Sequence, residues 1–154
     1  MSLQEVDPAS GAFLERAQHL IERGEAEQAL AVLAQAHERD PQNARLRSSL
    51  GLCVGLVDRD FTKALELCDS AVKQEFFNPE LYLNLAKLHL AFGLKEDGLR
   101  HLRRGRMIDP ANGAIRAEFD KLGSRRGPLL RFLPRDHLFN RWFGRARHRI
   151  ATAA

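Results

Sequence analysis

Apolar residues recur at helical spacing through most of this chain, in pairs of segments separated by short polar breaks. The pattern is clearest between residues 82 and 110. Tyr82, Leu85, Ala86, Leu88 and His89 fall at i, i+3 and i+4 spacing, which puts them on one buried stripe of a helix. The stripe stops at Phe92-Gly93-Leu94-Lys95. It resumes with Leu99, Leu102, Gly105 and Met107, and Asp109-Pro110 ends it, because a residue that precedes proline disfavours helix. The spacing therefore predicts two helices joined by a tight turn.

The same layout occurs three times, over residues 13–41, 47–76 and 82–110. Ala29, Ala64 and Gly98 are equivalent, 35 and then 34 residues apart, and so are Ala36, Ala71 and Gly105. Pro41, Phe76 and Pro110 form a third series. Gly24 and Gly93 stand at the turns inside units one and three, where a left-handed residue closes a helix at low cost. Unit two has Val57-Asp58-Arg59-Asp60 there, one residue longer. Ala17, Gly51 and Ala86 are expected to face Ala29, Ala64 and Gly98, since two helices approach closely only where side chains are small. One hairpin cannot bury its own apolar face, so neighbouring hairpins must stack.

The period, the helix-turn-helix content and the small–aromatic–small–proline pattern resemble the tetratricopeptide repeat (TPR) over about residues 10–110. Unit three carries the resemblance best, with Tyr82, Leu85-Ala86 and Pro110 at signature positions. Arg16 departs from it where the family prefers Leu. Gly98 and Gly105 replace Ala, each glycine at a helix-propensity cost of about 1 kcal/mol; room for a closer neighbour is the alternative reading at Gly105. The resemblance implies an all-α, right-handed α-solenoid over residues 10–124. Its hairpins are expected at about 10–41, 44–78 and 79–110, with a capping helix at 111–122.

The family's use of its first helices implies a concave surface that binds a partner protein. Carried over position by position, that surface comprises Leu14, Gln18 and Ile21, then Arg45, Ser48, Leu52, Gly55 and Leu56. Glu80, Leu83, Lys87, Leu90 and Ala91 follow, with Ala117 and Lys121 from the cap. Such a lining is mainly aliphatic and suits a peptide or an amphipathic helix of a partner; packing of several of these leucines between repeats is the alternative. Some family members clamp a terminal carboxylate with basic and amide side chains. Here only Asn84 and Lys87 match, while Leu14 and Glu80 stand where such groups are needed, so that specificity is not expected.

Charge changes the picture at the C-terminus. The 154 residues carry a formal net charge of +4. Residues 1–124 hold 16 Lys and Arg against 19 Asp and Glu, a net of −3, while residues 125–154 hold eight Arg and one Asp, a net of +7. The segment RDHLFNRWFGRARHR, Arg135 to Arg149, contains the only Trp of the chain and five Arg. Asp136 can cap a helix over about 136–149. Phe139, Trp142 and Phe143 would then share one face, with Arg141, Arg145 and Arg149 on the neighbouring one. That is a basic amphipathic helix. Three uses compete: packing back on the array, docking on another protein or a second copy, and attachment to an anionic membrane surface. Specific nucleic-acid binding is not expected, because the body is acidic and the basic cluster is short.

No signal for catalysis or cofactor binding appears. The glycines are scattered at turns rather than gathered in a phosphate loop. Glu25, Glu27, Asp58 and Asp60 stand at helix N-termini, where the dipole favours them. His89 occupies a core position and reads as a packed histidine. The run Arg100, Arg103, Arg104 and Arg106 reads as a solvated helix face. Cys53 and Cys68 read as small buried hydrophobes; a disulfide is the alternative, and a zinc site lacks its further ligands. No metal or cofactor is expected. With no signal-like N-terminus and no long apolar run, the expected location is cytoplasmic, or peripheral at the inner face of a membrane. The function so implied is that of a non-enzymatic binding scaffold, with a membrane adaptor attached through its tail as the runner-up.

Overall fold

A computed structural model describes residues 8–123 of the chain. These form seven helices: α1 (Pro8–Glu22), α2 (Ala26–Arg39), α3 (Ala44–Val57), α4 (Phe61–Gln74), α5 (Pro79–Ala91), α6 (Lys95–Ile108) and α7 (Gly113–Gly123). The first six pair as three hairpins. The chain divides into two compact units at Arg116/Ala117, and only residues 117–123 of the second are described. The expected C-terminal helix and its membrane, partner and fold-back readings lie outside the described residues. Among the described residues no helix is long and apolar enough to cross a membrane.

The small residues sit where the hairpins cross. Ala29 and Ala64 are fully buried. A Cβ on Gly51 would stand 2.8 Å from the Ala64 carbonyl oxygen and 2.8 Å from Cys68 Sγ, so α3 and α4 touch almost backbone to backbone. Gly105 makes room in the same way for Ile115, whose Cδ1 would lie 2.7 Å from an added Cβ. The propensity cost of that glycine therefore secures a close neighbour.

Turns within the hairpins follow the left-handed rule. Gly24 and Gly93 have φ of 79° and 78°, and in the longer turn Arg59 takes the same region at 57°. The turns that follow each hairpin share a second frame, built on an acidic residue and an asparagine three positions later. In Asp40–Asn43, Glu75–Asn78 and Asp109–Asn112 the asparagine N–H donates to the acidic residue's carbonyl at 3.3, 3.1 and 3.3 Å. The asparagine amide donates to the same residue's carboxylate at 3.1, 2.9 and 3.4 Å. Its Oδ1 accepts from the first turn of the next helix, at Leu46, Glu80 and Ile115. Each asparagine thus closes one repeat and caps the next.

Cys53 and Cys68 are buried free thiols, not a disulfide. Burial pushes each up to about 12, so both stay protonated and unreactive at neutral pH. His89 is packed as expected: its Nδ1–H donates to the Leu85 carbonyl at 2.8 Å, and the Phe61 ring meets it edge-on.

Candidate functional site

The first helices of the three hairpins border a hollow of about 130 Å³. From α1 it is lined by Leu14, Ala17, Gln18, Ile21 and Glu22. From α3 come Arg45, Ser49 and Leu52, and from α5 come Glu80, Leu83, Asn84 and Lys87. Asn112 and Ala114 close one end. The helices bring these side chains together because residues three and four apart share a face: 14, 18 and 22 on α1, and 80, 84 and 87 on α5.

Of the fifteen groove positions expected from the sequence, eight line this hollow: Leu14, Gln18, Ile21, Arg45, Leu52, Glu80, Leu83 and Lys87. Ser48, Leu56 and Leu90 are among those that do not. Ser48 is fully buried, and its hydroxyl accepts from Asn84 Nδ2 at 3.2 Å. The next residue, Ser49, takes the groove position instead. Leu56 packs against the cluster of Leu52, Val54, Ala64, Cys68, Leu85 and Leu88. Leu90 packs on α6, where Gly98 leaves space for it. The glycine at 55 faces Leu88 rather than the groove. Lys121, in the second unit, pairs with Glu118 of its own helix.

The lining is less aliphatic than expected. Leu52 and Leu83 form a floor and expose only 2% and 7% of their surface. Above them the rim is polar. Arg45 Nε meets Glu80 Oε2 at 2.8 Å, joining α3 to α5 across the groove. Gln18 Nε2 donates to Glu22 Oε1 at 3.2 Å. Asn84 Nδ2 is held by the two serine hydroxyls at 3.2 and 3.4 Å, which leaves its Oδ1 as an acceptor. Lys87 makes no ion pair among the described residues, so it brings a positive charge to the rim. Ala17, Glu22, Ser49, Asn112 and Ala114 are the lining residues that sequence reasoning missed. The helical period itself pointed to Glu22, four residues beyond Gln18.

A hollow of about 130 Å³ falls below the 300–1,000 Å³ usual for small-molecule sites. It has room for one or two side chains of a chain laid along it. Among the described residues no cluster of three His, Cys, Asp or Glu could hold a metal ion.

No protein-family model matches the sequence, and no curated protein does. Among solved structures, the chain is similar to the first TPR domain of human RPAP3. Identity there is 17% over 75% of this chain and 90% of that one, with a TM-score of 0.57. It is similar to the first TPR of Spaghetti (RPAP3) bound to the HSP90 peptide SRMEEVD, at 18% identity, 79% and 96% coverage and a TM-score of 0.55. A third likeness is to YrrB, a TPR protein with an unusual peptide-binding site, at 17% identity and a TM-score of 0.55, covering 72% of this chain and 57% of that one. At such identities the likeness shows the fold: an all-α solenoid of TPR-type hairpins.

Proposed function

We propose, from the premise that this chain has the TPR fold, that it is a non-enzymatic scaffold holding a short segment of a partner protein in the α1–α3–α5 groove. The observation that carries this reading is the hollow itself, which all three hairpins build and none could form alone. Its fixed side-chain amides suit an extended main chain, which offers N–H and C=O groups at each residue. Its aliphatic floor suits one inserted apolar side chain. A long amphipathic helix fits less well, because it would bury the Arg45–Glu80 pair and Lys87 against an apolar stripe.

Two of the structural neighbours support the reading: one is bound to a peptide and the other has an unusual peptide-binding site. The ligand need not be alike. Leu14 and Glu80 occupy positions where a carboxylate clamp would place basic or amide groups, and Glu80 is already engaged by Arg45.

The test is selection of peptides on the intact protein, followed by titration of the selected peptides into rim variants. Leu52 and Leu83 are unsuitable for this, since they are buried and a charge there would unfold the array. Ile21→Arg and Lys87→Glu, both at partly exposed positions, leave the floor in place. Each is expected to weaken selected peptides at least tenfold, about 1.4 kcal/mol, with an unchanged circular-dichroism spectrum. Undiminished binding to both variants would rule the groove out.

A further inference from the structure

The turns that follow the three hairpins share one frame and differ in their middle pair: Pro41-Gln42, Phe76-Phe77 and Pro110-Ala111. The residue ahead of the pair has almost the same backbone in each, with φ and ψ of −135° and 74° at Asp40, −128° and 67° at Glu75, and −133° and 93° at Asp109. Closing the turn therefore does not require aromatic residues. Phe76 and Phe77 are nonetheless 51% and 70% exposed. Their rings pack against each other, with centroids 4.1 Å apart and planes tilted by 40°. The Tyr82 hydroxyl donates to the Phe76 backbone carbonyl at 3.0 Å and ties this turn to α5. Large apolar side chains kept in water, where the turn closes without them, mark a contact surface.

The chemistry around the pair selects its partner. Gln74, Glu75, Phe76, Phe77, Asn78 and Pro79 line a shallow depression, and Glu75 is its only ionisable residue. Glu75 Oε2 accepts from Asn78 Nδ2, and its Oε1 has no partner among the described residues. Aromatic faces beside one open carboxylate suit a cationic and aromatic segment, with guanidinium groups over the rings. They do not suit an anionic bilayer, which the carboxylate would repel.

This chain itself carries such a segment. Arg135 to Arg149 contains five Arg, Phe139, Trp142, Phe143 and a single Asp, while residues 1–124 are net acidic. We propose that the Phe76–Phe77 shelf docks residues 135–149 of a second copy of this chain. One such contact is far smaller than a stable interface, but a two-fold pair makes it twice, each copy giving its segment and receiving the other's. The inference is independent of the groove reading.

The experiment follows full-length protein by sedimentation equilibrium and by Trp142 fluorescence between about 1 and 100 μM. The control is the double variant Phe76→Pro, Phe77→Gln, which gives turn two the middle pair of turn one and so keeps the frame. The intact protein is expected to approach twice its monomer mass as concentration rises, with Trp142 emission shifting to the blue in parallel. The variant is expected to keep its helical spectrum and to associate at least tenfold more weakly. Arg141→Glu with Arg145→Glu should do the same. Equal masses for intact protein and shelf variant at every concentration would overturn the proposal. So would a blue shift that does not depend on concentration, or one that appears only on adding phosphatidylserine vesicles.

Discussion

Helices α1 and α3 play the same part in successive hairpins, yet they are buried differently. α3 buries eight residues: Ala44, Leu46, Ser48, Gly51, Leu52, Cys53, Val54 and Gly55. They lie on every side of the helix, because α3 packs against α2, α4 and α5. α1 buries Ser10 and Ala17, and its main neighbour is α2. In a stack, burial depends on how many neighbours a helix has, and only the interior helices are enclosed. The same substitution should therefore have opposite consequences in the two.

Glycine to alanine is the sharpest form of that comparison. In α3, a methyl group at Gly51 meets the Ala64 carbonyl oxygen, a backbone atom of α4 that can move only with its helix. Gly51→Ala is expected to destabilise by about 2 kcal/mol, a fall of about 8 °C in Tm for a body of this size. In α1, nothing stands within 4 Å of a methyl group at Gly11. Gly11→Ala is expected to gain up to about 1 kcal/mol from helix propensity alone. Thermal unfolding of both variants decides the matter, and changes of the same sign would break the comparison.

The comparison also explains what the sequence could and could not reveal. Repeat units, turn glycines and crossing residues were legible because each depends on spacing along the chain. Ala29, Ala64 and Gly98 must recur at one period if hairpins stack, and they do. The groove was less legible for the same reason that α3 is buried all round. A helix that is apolar on most faces has no clear stripe, so its rotation cannot be read from its pattern. Ser48 and Ser49 are adjacent and alike, and only packing shows that Ser49 looks into the groove while Ser48 holds Asn84. Leu52 and Leu83 line the hollow and are still almost wholly covered, a distinction that depends on neighbours and not on residue type. The Phe76–Phe77 pair was signalled by the missing proline in its series, but its exposure rests on a turn frame that forms without it.

Interior packing has a smaller consequence for proton binding. His101 on α6 lies against His89 on α5, with ring centroids 4.9 Å apart. Burial, and then the neighbouring His89, hold its proton affinity below the ordinary histidine value; Asp69 and Asp97 oppose this and Arg100 adds to it. The unfolded chain then takes up the proton first. Stability from this group is complete above the ordinary value of about 6.5 and is lost as pH falls below it towards the folded value. Tm is expected to fall between pH 7 and pH 5.5, and His101→Gln should flatten that slope. An unchanged slope would place the acid sensitivity elsewhere.

The smallest effect is expected where hairpin two departs from its neighbours. Its turn puts Arg59 in the left-handed region that Gly24 and Gly93 occupy in the other two. A non-glycine residue there costs about 1 kcal/mol. The Arg59 guanidinium lies 4.4 Å from the centre of the Phe92 ring, an attraction of about 0.5–1 kcal/mol at an exposed site. The two terms nearly cancel, so Arg59→Gly should change stability by less than about 0.5 kcal/mol. Arg59→Ala keeps the strain and loses the ring contact, and should cost about 1 kcal/mol. Chemical denaturation of the pair separates the two terms: if glycine gains what the strain predicts and alanine loses nothing, the ring contact contributes nothing and hairpin two simply tolerates a strained turn.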